Sequence, residues 1–230
     1  MGKNLRQQRR GRGTPVYRFP SHRQIGKIIY TNIPLGKSGR IIDIVHAPGR
    51  YAPVAVVDFD GERRLMVAGE GTHVGQVIGS EPNTGSIMRL KDIPEGSKIY
   101  NIELIPGDGG RLCRSSGAFA TLISREAGTC TVLLPSKQKK TLPTECLATI
   151  GSAASSGRIE KPFRKAGTKF YLMKAHGKLY PHVSGVSMNA VDHPFGGQTR
   201  PGKAKTISRH APPGQKVGSI SPRRTGKKKK

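Results

Sequence analysis

An all-β fold, with two small barrels between long basic extensions, is what this 230-residue chain predicts. Three observations carry the prediction. Through the middle of the chain, apolar and polar residues alternate in short runs, the period of half-buried strands. Turn-forming residues separate these runs at roughly ten-residue spacing, which favours barrels or sandwiches over helical layers. The charge, finally, is piled at the ends. Residues 1–30 carry eight Lys/Arg and no acid, 31–156 carry 14 basic and 12 acidic residues, and 157–230 carry 18 basic residues against Glu160 and Asp192.

The first barrel is expected over 36–95. Gly39 to His46 reads as a strand and Ala47-Pro48-Gly49-Arg50 as a turn. Tyr51 to Phe59 is a second strand, closed by Asp60-Gly61, a strong hairpin signal. Glu62 to Ala68 returns as its partner, and Gln76–Ile78 and Ser86–Leu90 are expected to close the barrel. The second barrel is expected over 96–157. Lys98 to Ile105 alternates and ends at the turn-rich Pro106 to Gly110; Phe119–Arg125, Thr129–Leu134, Lys140–Leu142 and Cys146–Ile150 follow as strands. No stretch with a 3.6-residue period exceeds about two turns. Residues 1–35 are a basic N-terminal extension to which Gln24–Thr31 can add one strand, and 158–230 a basic C-terminal extension without sustained apolar periodicity.

A net charge of +26, so distributed, selects the partner class. Cationic arms repel themselves in water, and pairing with polyphosphate releases condensed counterions. The arms lack the Leu/Phe/Trp face that an interfacial membrane helix needs, so nucleic acid is the expected partner and a membrane is not. No apolar run approaches the ~20 residues of a membrane span, and the start of the chain does not resemble a signal peptide. Cys113, Cys130 and Cys146 form no CxxC pair and sit in apolar stretches, which reads as buried reduced thiols in a cytosolic setting.

Chemical motifs mostly fail. Gly36-Lys37-Ser38 imitates the end of a phosphate-binding loop, but Thr31 stands where the first glycine is required. There is no nucleophile elbow, no HExxH and no Cys/His set at zinc spacing, and His176 and His182 suit an RNA-facing or solvated role; no metal, cofactor or small-molecule substrate is expected. The unusual segment is 183–198, where Asp192 is the one charge and Pro194, Gly196 and Gly197 permit a tight backbone path. Two readings fit it: a plain turn with a solvent-facing His193, or, more specifically, a tight loop inserted into folded RNA, with Asn189, Asp192 and His193 bonding to ribose or base edges.

That segment closely resembles the C-terminal signature of the universal large-subunit ribosomal protein L-two family, GxxMNxVDHPxGG. Pro106 to Gly117 (PGDGGRLCRSSG) resembles the family's linker signature, GGxxxRSxG. The resemblance runs from about residue 10 to 224. Phe195 stands where bacterial and eukaryotic members usually carry a second His, and the glycine run is shorter, a departure that resembles archaeal members. The resemblance implies an OB-like first barrel and an SH3-like second barrel. It also implies a primary binder of large-subunit rRNA near the peptidyl transferase region, supporting subunit association and tRNA binding in the cytoplasmic ribosome. Its partners would then be rRNA, other ribosomal proteins and the small subunit.

Candidate RNA contacts follow: Arg6, Arg9, Arg10 and Arg12 at the start, and Arg111, Arg114 and Ser115 in the linker signature. Lys174, then Met188, Asn189, Asp192, His193, Gly196 and Gly197 in the loop, and Arg200, Lys203, Lys205, Arg209, Arg223 and Arg224 beyond it complete the set. A structural, non-enzymatic role is expected. Two alternatives are His193 as a general base in peptide-bond formation and a DNA-compacting basic protein. Side chains of neighbours such as Asp192 and His193 normally diverge, and a DNA binder has no need of a nearly neutral loop.

Overall fold

Asp60 and Gly61 take φ of 52° and 90° in the computed structural model, which describes residues 2–30, 37–79, 81–197 and 205–225. Two successive positive φ values make the turn whose twist matches its flanking strands. They join β2 (Val54–Phe59) to β3 (Glu62–Val67) with Phe59 opposite Glu62. β1 (Gly39–Val45) pairs antiparallel with β2 and, on its other edge, with β4 (Val77–Ile78), giving the order β3-β2-β1-β4. The ladder jumps from Ile41–Val57 to Asp43–Val56, so Ile42 is a bulge residue and faces solvent. Gly39 lies under the Phe59 ring: a Cβ there would stand 2.5 Å from the ring edge. Ile41, Val57, Phe59, Met66 and Ile78 fill this sheet's inner side.

The second sheet has six strands: β5 (Ile87–Arg89), β6 (Lys98–Tyr100), β7 (Ala120–Glu126), β8 (Thr129–Leu133), β9 (Lys139–Pro143) and β10 (Leu147–Ile150). Their order is β5-β10-β6-β7-β8-β9. Ile87–Arg89, expected to close the first barrel, instead pairs with β10, Met88 opposite Ala148. The reason is the next residues: Leu90 and Ile93 are fully buried with Ile99, Leu122 and Val132, and their burial carries β5 into the second sheet. Cys130 and Cys146 are buried in this core and Cys113 is half-buried; all three are free thiols. Burial pushes Cys113 and Cys146 up to about 11. The body is thus an OB-like sheet followed by an SH3-like one.

A shared core joins them. Tyr100 from β6 and Ala153 pack with Val54 and Val67, and the Tyr100 hydroxyl donates to the Val67 carbonyl at 3.2 Å. Ile28 belongs to this cluster, and Tyr30 bonds to Thr149 at 2.5 Å. Residues 24–30 nonetheless join no sheet, contrary to the expected extra strand; side chains, not a ladder, hold them. Thr31 and the expected boundary at residue 35 lie outside the described residues. Inside the body, Glu103 is fully buried and accepts backbone N–H bonds from Gly107, Gly109 and Leu147, at 3.2, 3.0 and 2.9 Å. One carboxylate therefore fixes the turn of the linker signature against β10.

The body comprises Ser21–Arg164; the two ends, Met1–Pro20 and Lys165–Lys230, group into a second compact unit. There α1 (Arg6–Gly11) begins where the Gln8 side chain accepts the Leu5 N–H at 2.7 Å, and Leu5 itself is buried. α2 (Ala166–Ala175) is a ten-residue helix. Sequence periodicity limited helix to about two turns, but Phe170-Tyr171-Leu172-Met173 places apolar side chains all around the axis, which erases the 3.6 period while leaving good helix formers in place. β11 (Thr206–Ile207) and β12 (Ser219–Ile220) pair in parallel.

Candidate nucleic-acid interface

Backbone bonds close the unusual loop on itself. The Gly197 N–H donates to the Met188 carbonyl at 3.0 Å and the Gly196 N–H to that of His193 at 2.8 Å. The Asn189 carbonyl accepts from Asp192 and His193 at 3.0 and 3.2 Å. Gly196 is where only glycine fits: an added Cβ would lie 2.2 Å from the Asn189 oxygen. Gly185 is a second such place, because a Cβ there would lie 2.3 Å from the His193 ring.

That ring is fixed in orientation and protonation. The Phe195 N–H donates to His193 Nδ1 at 3.0 Å, which leaves the neutral ring's proton on Nε2. Burial first, and then the positive charge of Arg6, pushes the imidazole below its ordinary range. Asp192 turns to Lys3 Nζ at 3.0 Å, so the two neighbouring side chains make no dyad.

Two clefts border this loop. One of about 440 Å³ is lined by Arg6, Gln7 and Arg9 of α1 together with Val183, Gly185, Ser187, Met188, Asn189, Asp192 and His193. Six residues expected to contact RNA, from opposite ends of the sequence, thus meet around one space. The other cleft, about 620 Å³, shares Asp192 and His193 and is lined also by Lys3, Asn4, Gln8, Ile207 and Gln215. Residues 1–20 and 165–230 carry 21 Lys/Arg and a single acid, Asp192, so both clefts open in a strongly positive field.

The body carries its own cationic cluster. Arg114 is half-buried and donates from Nη1 to the Gly110 carbonyl at 2.7 Å and from Nη2 to that of Ile28 at 2.9 Å, while its Nε is buried without a bond. Burial lowers its pKa first, and the nearby charges of Arg50 and Arg111 contribute. Arg111 lies 3.8 Å from Asp108, and burial lowers the pKa of Arg50 too. Arginines drawn together against burial and repulsion are suited to an anion. Sequence reasoning missed Arg50, which looked like the end of an ordinary turn; it also missed Lys3, Asn4 and Gln8. Next to Arg50, the Arg158 guanidinium stacks 3.9 Å from the Tyr51 ring centre and bonds Ser116 through Nε at 2.8 Å.

The remaining expected contacts are dispersed. Arg10 lies 5.8 Å from the Tyr17 ring centre, and Arg12, Ser115, Lys174, Lys205, Arg209, Arg223 and Arg224 are exposed without lining either cleft. Arg200 and Lys203 lie outside the described residues, as do Gln198 at the loop's end and Lys227–Lys230. Among the described residues, no three His, Cys, Asp or Glu side chains gather as a metal site, and no helix is long and apolar enough to cross a membrane.

Small β-barrels with clustered arginines, joined in one chain to a unit holding one acid among 21 cations, define a polyanion-binding protein of the nucleic-acid type. Residues 83–216 match the family model described as Ribosomal Proteins L2, C-terminal domain. The large ribosomal subunit protein uL2 of Methanothermobacter thermautotrophicus is 51% identical over the whole of both chains. That of Haloarcula marismortui is 49% identical over 99% of this chain and 98% of its own, and that of Methanococcus aeolicus 48% over 99% and 100%. The chain belongs to the family of ribosomal proteins L2.

Proposed function

We propose that this protein is a structural constituent of the large ribosomal subunit in the cytoplasm, where it binds rRNA directly and contacts other ribosomal proteins. The observation that carries the reading is the meeting of α1 with residues 183–193 of the loop around His193, in a unit with one acid. Phosphates are held by the surrounding Lys and Arg, while Asn189, His193 Nε2–H and the backbone of the loop address ribose and base edges. On the body, Arg50 and Arg111 supply phosphate contacts, and Arg114 holds the linker turn that presents them. Position near the peptidyl transferase region and support of subunit association and tRNA binding extend the same reading.

The role is structural, not catalytic. A base must accept a proton at an accessible atom, whereas His193 Nδ1 already accepts the Phe195 N–H and Nε2 carries a proton. The test is crosslinking of the purified full chain to total cellular RNA, with mapping of the sites. Crosslinks concentrated in large-subunit rRNA at Arg6, Arg9, Asn189 and His193 are expected. Scattered crosslinks, or equal competition by duplex DNA, would favour the compaction reading instead.

A further inference from the structure

The outer face of α2 is built the wrong way round for a helix that packs on its own protein. Lys169, Leu172, Met173 and His176, spaced i, i+3, i+4, i+7, are half-buried and form its inner side. Gly167, Phe170, Tyr171 and Lys174 repeat that spacing on the other side, and there the two aromatic rings stand in solvent. Phe170 is 42% and Tyr171 70% exposed, with ring centres 5.5 Å apart in an edge-to-face arrangement. None of the helix's residues is fully buried. A Cβ added at Gly167 would meet nothing within 4 Å, so the stripe is open along its length.

Exposed aromatics beside lysine on one rigid face suit a particular partner. Residues 161–191 carry six Lys/Arg and no acid, so the flanks of the stripe are uniformly positive. A protein partner would have to bring an acidic surface with an apolar centre. Single-stranded RNA brings phosphates and flat π surfaces together at nucleotide spacing. We propose that the outer face of α2 docks on rRNA, with Tyr171 and Phe170 stacking on unpaired bases and Lys174 pairing with a neighbouring phosphate. This rests on the reading of the protein as an rRNA binder and locates a contact separate from the residues lining the His193 clefts.

The test uses the full chain with a full-length large-subunit rRNA transcript, measuring affinity across a salt series. Tyr171→Ala should weaken binding about 5- to 100-fold at every salt concentration, the range expected for one lost base stack. Its salt slope should stay that of the parent, because no charge is lost. Tyr171→Phe keeps the π face and should restore parental affinity. Lys174→Gln should instead lower the slope by about 0.7–0.9. With Tyr171 so exposed, thermal melting of each variant should match the parent. Parental affinity for Tyr171→Ala, or equal losses for Ala and Phe, would overturn the docking face while leaving the wider function standing. A parent chain that does not prefer this transcript to random RNA would overturn both.

Discussion

His193 shows how a single side chain can be set by its neighbours rather than by its own chemistry. Nδ1 is occupied by the Phe195 amide and the ring lies against Gly185, so the imidazole is a directed donor through Nε2. His193→Gln keeps a donor but does not titrate near neutrality. Ribosomes reconstituted with it should retain most single-turnover peptide-bond rate, whereas His193→Ala should suffer in assembly. A loss of about 10²–10⁴-fold in fully assembled Gln ribosomes, the usual contribution of a general base, would reverse the assignment. The same ring gives the loop a pH dependence. Folding lowers its proton affinity below the ordinary value of 6.5, so the unfolded chain binds more protons as pH falls. Loop stability is therefore intact above that value and declines as pH drops through it. Hydrogen exchange of the Gly196 and Gly197 amides from pH 8 to 5 should show protection falling on the acid side, and protection rising there would contradict the burial of the neutral ring.

At the scale of elements, the linker turn depends on one buried carboxylate. Removing Glu103 leaves the Gly107, Gly109 and Leu147 N–H groups without their acceptor. Each buried unmade bond costs about 1–3 kcal/mol, so Glu103→Ala should cost the body roughly 3–5 kcal/mol in chemical denaturation. Glu103→Gln, which keeps one acceptor oxygen, should cost less, and an Ala variant as stable as the parent would show that water satisfies those amides. Glu103 was not legible as an anchor beforehand, because alternation in Lys98–Ile105 assigns its face but not its partners. The β2–β3 hairpin was legible, since Asp60-Gly61 states its turn chemistry locally. Ile87–Arg89 was not, because a three-residue strand has too few side chains to specify its sheet, and the decision fell to Leu90 and Ile93 beyond its end. The loop signature and the N-terminal arginines were each visible in the sequence. Their meeting was not, because 174 residues or more of chain separate Arg9 from Val183 and no local pattern encodes that contact.

For the whole molecule, charge divides the labour. The unit made of the two ends carries 21 of the 40 Lys/Arg and one of the 14 acids, whereas Ser21–Arg164 holds the other 13 acids. On the proposed rRNA-binding reading, the body is expected to supply shape and a few arginines drawn together, and the ends most of the polyelectrolyte attraction. Residues 199–230 alone account for 11 cations and no acid. If about half of these sit on phosphates, their removal should lower the salt slope of log affinity for rRNA by roughly 3–5, at ~0.7–0.9 per phosphate neutralised. Affinity should drop most at low salt, where counterion release is worth most, and converge with that of the full chain as salt rises. Far-UV circular dichroism should still report the β body, whose two sheets are built from strands within Ser21–Arg164. A truncated chain with an unchanged slope would mean that the tail's charge stays solvated in the complex, and would shift the electrostatic burden onto α1, α2 and the arginines at 50 and 111.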